Sequence, residues 1–184
     1  MTENNDVIYR IDDQDRLTFV NEGWDRHAMA AATPGLAASG VLARSLWDYI
    51  TDATTCALYR DMLKSVRAGR RVRFPFRCDA PDARRFLQMD ARGLGGGAVE
   101  FHTRVLVQEE RPAQAALRAG GVRREPLLRI CGWCKKVPDG FGWVEIESAV
   151  EKFGWFDSEV LPALTHGICP ECEERMNRTL GESA

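Results

Sequence analysis

Apolar and polar side chains alternate twice near the start of the chain. In "VIYRIDDQDRLTFVNEGW", Val7, Tyr9 and Ile11 share one side of an extended segment, Leu17 and Phe19 share one side of a second, and an Asp-rich break separates the two. This is the period of two expected of paired strands, so a hairpin is predicted. Asn21 then stands where an N-cap belongs for a short helix running through Ala30, and "AATPGLAASG" has the small residues of a loop. The period changes at "TDATTCALYRDMLKSVRAGR". Here Asp52 is a cap, Cys56, Tyr59, Met62, Leu63 and Val66 fall on one helical face, and Gly69 is a stop, which predicts a helix of about four turns.

Alternation then returns. Val72, Phe74, Phe76 and Cys78 oppose Arg73, Pro75 and Arg77, a strand buried on one side whose Pro75 favours an edge position. "RRFLQMDARGLGGGAVEFHTRVLVQ" predicts a hairpin turning at "GLGGG", with Val99, Phe101, Thr103, Val105 and Val107 on one face of the last strand. Two strands, a helical block and three strands make an α+β domain: a five-stranded antiparallel sheet with helices on one face. Residues 111–127 mix Ala, Arg and the Gly120–Gly121 pair and suggest a hinge.

Composition narrows the function classes. The 184 residues are 45% hydrophobic, enough for one ordinary domain and a small one, and the formal charge of -2 argues against general nucleic-acid binding. Ten Lys or Arg stand against four Asp between Arg60 and Arg92, but they fall on the polar faces of the predicted helix and strand, where solvated charges belong. No stretch approaches the roughly 20 apolar residues of a membrane span, and "MTENNDVIYR" lacks a signal-peptide pattern, so a cytoplasmic protein is expected. In that reducing compartment the six cysteines point to metal or redox chemistry rather than to disulfides.

The element order, with "FVNEGW" after the second strand, "ARSLWDYI" before the main helix and "FPFRCDAPDARR" after it, resembles a PAS domain over about residues 5–110. The resemblance implies a sensory or interaction domain that binds an unidentified small ligand against the inner sheet face, or pairs with partners, and passes a signal to an attached element. The Asn-Cys-Arg-Phe run of light-sensing flavin-binding members is absent; "PFRCDAP" stands instead.

The strongest chemical signal lies further on. "ICGWCKK" and "THGICPEC" hold two Cys-x-x-Cys pairs separated by 34 residues. Each pair lets two sulfurs converge on one tetrahedral metal, so Cys131, Cys134, Cys169 and Cys172 form a complete structural zinc set. The spacer is long enough for structure of its own: a hairpin around Asp139–Gly142, a short helix in "EIESAVEKFG" and a further helical turn in "SEVLPALT". Cys169 precedes Pro170 at a helix start, and Cys172, Met176 and Leu180 follow at i, i+4 and i+8. Lys135 and Lys136 supply positive charge beside the first pair. His166, three residues before Cys169, is an alternative ligand or a neighbour of the metal. A knuckle, a hairpin and a terminal helix carrying the last ligands resemble a treble-clef zinc module, and the longer pattern with "GWVEIE" resembles a C-terminal segment found beside PAS and other signalling domains in bacteria.

The remaining candidates have bland readings. Cys56 and Cys78 fall on apolar faces and are expected to pack. His27 and His102 stand alone. Trp24, Trp47, Tyr49, Phe74 and Phe76 serve as core residues before they serve as a ligand cavity. "CGWC" is not preceded by the βαβ unit of a dithiol oxidoreductase, and no catalytic signature is present. The expected protein therefore has a PAS-like sensory domain at 1–112, a linker at 113–126 and a zinc-binding module at 127–184. It would be a non-enzymatic bacterial signal-transduction protein with a protein partner, homodimerisation being one form of it. The rivals are a nucleic-acid-binding regulator that uses the zinc module with the Arg-rich face, and a thiol-based redox sensor.

Overall fold

A computed structural model of the chain describes residues 6–31, 33–114, 123–153 and 161–181. The first hairpin forms, β1 (Val7–Ile11) pairing antiparallel with β2 (Leu17–Val20), but a register shift between Arg10 and Ile11 turns Leu17 inward and leaves Phe19 on the outer face under Arg10, not on one side with Leu17. Asn21 fastens the next helix to this hairpin. Its Oδ1 accepts from the backbone N–H of Trp24 at the start of α1 (Glu22–Ala30) and from that of Ile8, while its Nδ2 donates to the Asp6 carbonyl. One side chain thus caps a helix and ties it to the first strand. The small-residue stretch after α1 is more ordered than the expected loop, with a 3₁₀ turn at Pro34–Leu36 and a four-residue helix, α2 (Ala38–Val41). The Asp25 carboxylate accepts from the Ala38 N–H 2.7 Å away and Gly40 N bonds Ala37 O, local bonds that small residues permit.

Helix α3 (Ala53–Arg67) starts where Asp52 accepts from Thr55 N at 2.8 Å and ends before Gly69, whose φ of +91° suits glycine. Its buried residues Leu58, Met62, Leu63 and Val66 pack against the sheet. That sheet adds β3 (Val72–Arg77), β4 (Ala83–Gly95) and β5 (Ala98–Glu110) to the first hairpin, in the order β2-β1-β5-β4-β3 with every pair antiparallel. Pro75 therefore lies on an edge strand, where its missing N–H leaves no ladder position empty. Between β4 and β5, Gly95, Gly96 and Gly97 all have positive φ, and a Cβ at Gly97 would stand 2.6 Å from that of Asp13.

Alternation sorts the two faces. Tyr9, Ile11, Val72, Phe74, Met89, Ala91, Val99 and Phe101 turn inward to α3. The opposite face carries charge in pairs: Glu100 binds Arg10 and Arg92, and Asp90 binds Arg71 and Arg73. The inward side of β5 runs out of cover beyond Thr103, where Val105 is exposed, and a register shift between Phe86 and Leu87 then brings Gln108 rather than Val107 to the cavity side.

The second part is built on β6 (Arg123–Cys131), which begins within the span expected as linker; Gly120 and Gly121 lie outside the described residues. A two-residue hairpin follows, β7 (Val137–Pro138) with β8 (Trp143–Val144), then α4 (Ile146–Lys152), β9 (Leu161–Gly167) and α5 (Pro170–Gly181). The further helical turn expected in "SEVLPALT" is not what forms: Leu161–Thr165 belong to β9, which pairs in parallel with β6, while residues 154–160 lie outside the described residues. Pro162 disfavours a helix interior, and the edge of β6 offers a backbone partner that local propensity cannot reveal. Ile130, Val137, Ile146, Ala149 and Val150 form a small core of their own.

The two parts are joined at the sheet edge. Trp133 stacks on Phe74 with ring centroids 4.9 Å apart, and the Arg77 N–H donates to the Trp133 carbonyl. Among the described residues no helix is long and apolar enough to cross a membrane.

Candidate metal centre

Cys131 ends β6, and the chain turns through Gly132, Trp133 and Cys134. The turn is closed by Cys131 N–H on the Lys136 carbonyl at 2.9 Å and Lys135 N–H on the Cys131 carbonyl at 3.0 Å, with Lys135 at φ +62°. Parallel pairing sets the other half in place, since Cys131 lies opposite Gly167 and Gly132 N–H donates to the Gly167 carbonyl. Two residues later Cys169 precedes α5, and Cys172 sits in its first turn, where free N–H groups and the positive helix end favour thiolates.

The four Sγ atoms of Cys131, Cys134, Cys169 and Cys172 lie within 4.8 Å of one another. Sulfurs on a zinc tetrahedron with bonds of about 2.3 Å are about 3.8 Å apart, so this spacing fits a metal. Cys134 and Cys169 come within 3.6 Å, far beyond a disulfide bond, and all six cysteines are free. Cys131, Cys169 and Cys172 are buried and Cys134 is half-buried. The donor set, four soft sulfurs of which three are buried, suits a structural ion and offers it a full coordination sphere.

Without metal the thiols contend for one negative charge. Hydrogen bonds from Cys134 and Cys172 pull the Cys131 thiol far below its ordinary value. Contact with Cys131 drives Cys134 up to about 12, and contact with Cys131 and Cys134 raises Cys172 as well. A divalent ion resolves this repulsion by taking the place of the shared protons.

The surrounding donors differ from expectation. The Lys135 ammonium donates to the Gly132 carbonyl, and Lys136 pairs with Glu171. The cation that touches sulfur is Arg175, whose Nη2 lies 3.1 Å from Cys172 Sγ. Its position at i+3 from Cys172 on α5 was the available signal. His166 lies on β9 opposite Ile130 and outside the cysteine cluster. Its imidazole lines a cavity of about 440 Å³ between Phe74, Tyr59 and Trp133, and burial, with the Lys135 charge, lowers its pKa.

The other singled-out residues have partners. Cys56 Sγ donates to the Ile50 carbonyl at 2.9 Å. His27 and His102 do not stand alone: His102 Nε2 meets Asp6 at 2.7 Å, and His27 Nε2 lies 3.5 Å from Cys78 Sγ. Phe74 is core, Trp47 bonds Asp15 and lies under Arg60, and Trp24 and Phe76 line a second cavity of about 340 Å³. Several arginines of the basic stretch are committed to carboxylates: Arg67 to Asp15, Arg71 and Arg73 to Asp90, Arg77 to Asp79 and Glu145, Arg84 to Glu147 and Arg92 to Glu100.

Compared with models of protein families and with curated proteins, the chain matches none.

Proposed function

We propose that the chain is a non-enzymatic bacterial signal-transduction protein, with a PAS-like sensory domain at about 1–112 and a treble-clef-like module at 127–184 that a structural zinc ion holds together and that docks a protein partner. The observation that carries this reading is the closure of four cysteine sulfurs beside the edge of an antiparallel sheet of order β2-β1-β5-β4-β3. A four-sulfur site leaves no open position for a substrate or water, which favours a scaffold over a catalyst. Commitment of Arg67, Arg71, Arg73, Arg77, Arg84 and Arg92 to carboxylates disfavours the nucleic-acid reading, since such arginines are not free to neutralise phosphates.

The route from sensor to module runs through β3. Phe76 lines both cavities, the first under α1 and the second against Trp133 and His166. A change in the first cavity that moves Phe76 is felt at the Cys131–Cys134 turn, because Phe74 and Arg77 on the same strand hold Trp133. The test is amide hydrogen exchange of wild-type protein and Phe76→Ala with metal bound. Exchange at residues 131–134 and 164–167 is expected to quicken by about tenfold or more, the equivalent of roughly 1.4 kcal/mol of local opening. Quickening confined to β3 and β4 would show that the strand relays nothing.

A further inference from the structure

Cys78 follows the end of β3 and lines the 340 Å³ cavity under α1, whose polar lining also includes Arg26, His27, Arg85, Thr103 and Gln108. His27, on α1, brings Nε2 to 3.5 Å from Cys78 Sγ, across 51 residues of sequence. Arg85, on β4, lines the same cavity, and its Nε is buried with no hydrogen-bond partner among the described residues. The rest of the lining is largely apolar, including Tyr9, Trp24, Phe76, Leu87 and Val105. A thiol beside an imidazole is the arrangement that activates a nucleophile, and the Arg85 guanidinium in the same wall brings positive charge to an acceptor held there.

We propose that Cys78 is a reactive thiol that captures α,β-unsaturated carbonyl compounds with an apolar tail, with His27 as its base and Arg85 as the donor to the carbonyl oxygen. The thiol proton passes from Cys78 Sγ to His27 Nε2, leaving a thiolate beside an imidazolium. The sulfur forms a bond to the β-carbon, the C=C π bond breaks, and its electrons move to the carbonyl oxygen as an enolate facing Arg85. His27 returns the proton to the α-carbon, so the product is a thioether, His27 is neutral again and nothing is oxidised or reduced. The apolar walls hold the tail, which sets the preference for a hydrocarbon chain over a small polar electrophile.

Electrostatics agrees with this geometry. Burial pushes the Cys78 thiol up, but contact with His27 and the charges of His27, Lys135 and Arg85 outweigh it, so the thiol titrates below its ordinary value. Contact with Cys78 raises His27 against the opposing effects of burial and Arg85. The site is separate from the four-cysteine cluster, and its reactivity stands whether or not that cluster holds metal.

The experiment treats the full chain with trans-2-hexenal, reduces the product with borohydride and maps modified cysteines by mass spectrometry. Cys78 is expected to react at least about tenfold faster than Cys56 at pH 7, because an imidazole stands beside the Cys78 sulfur whereas the Cys56 thiol is held by the Ile50 carbonyl. Its preference for hexenal over acrylamide should exceed that of glutathione by a similar factor. His27→Gln should slow Cys78 about tenfold and move the midpoint of its pH–rate profile up toward that of an ordinary thiol. Cys78 reacting no faster than Cys56, a hexenal preference equal to that of glutathione, or an unchanged pH profile in His27→Gln would each overturn the proposal. The first two comparisons use the unsubstituted chain and do not depend on a variant folding.

Discussion

Cys172→Ser is expected to lose the bound metal and to unfold residues 127–181, while the five-stranded sheet stays folded at a lower melting temperature. Structural zinc contributes apparent free energies of about 10–16 kcal/mol in small zinc peptides at neutral pH, comparable with the whole stability of about 5–15 kcal/mol of an ordinary domain. The core that belongs to the second part alone consists of Ile130, Val137, Ile146, Ala149 and Val150, too few residues to replace that contribution. The sheet keeps Ile11, Leu17 and Phe101 in one core with Met62 and Val66 of α3 but loses what the module lends it, the stacking of Trp133 on Phe74 and the packing of Met176 into the same cluster. Calorimetry should therefore replace the wild-type melt with a weaker transition shifted down by on the order of 10 °C, as a loss of a few kcal/mol implies for a chain of this size. Chelation of the wild type should reproduce the change. A melt that neither Cys172→Ser nor chelation alters would mean that the four sulfurs stabilise nothing.

Arg77→Met should be nearly as damaging, at about 3 kcal/mol, because it breaks a buried ion network that links the two parts. Arg77 and Asp79 have side-chain exposures of 8% and 0%; the guanidinium pairs with Asp79 and reaches Glu145 Oε2 at 2.6 Å, just before α4. Arg111 lies 3.3 Å from Asp79 and 2.6 Å from Glu147, and Arg84 also reaches Glu147. Removing Arg77 leaves Asp79 buried with the more distant Arg111 as its remaining cation, which is why the expected cost is at the lower end of the range of about 3–5 kcal/mol for a broken buried pair. Burial by itself lowers the Arg77 pKa, and Asp79 and Glu145 more than reverse it, so the group stays charged at every working pH. Removing both buried ends, in Arg77→Met with Asp79→Leu, should recover much of the loss, since Arg111 keeps Glu147 and the charge that loses its partner, Glu145, is partly exposed to water. Urea unfolding of the two variants measures this. A single variant within about 0.5 kcal/mol of wild type, the range of ordinary surface substitutions, would show that the network carries little.

Both predictions rest on contacts between distant parts of the chain, and there the sequence was least informative. What local chemistry dictates was legible: the alternation of β1 and β3, the caps at Asn21 and Asp52, the stop at Gly69 and the edge position of Pro75 each depend on a few neighbouring residues, whereas the bulge that parts Leu17 from Phe19 does not. The cysteine site was legible for a similar reason, because Cys-x-x-Cys fixes two ligands locally and Pro170 marks the helix that carries the fourth. The parallel pairing of β9 with β6 was not, since a strand whose partner lies more than 30 residues away has no pattern of its own to distinguish it from a helical turn. Nor was the pairing of Cys78 with His27, or the reach of Arg77 to Glu145, because neither spacing leaves a periodic trace. Val105 and Val107 show the converse: Val105 keeps the inward side but the helices end before covering it, and a register shift opposite Phe86 and Leu87 breaks the alternation before Val107.

The most direct test of the central claim is X-ray absorption at the zinc edge of the purified protein, with metal content measured on the same sample. One zinc per chain surrounded by four sulfurs at about 2.3 Å is the predicted result. A shell of three sulfurs and one nitrogen at about 2.0 Å would place His166 in the site in place of a cysteine, and a protein without stoichiometric metal would contradict the claim altogether.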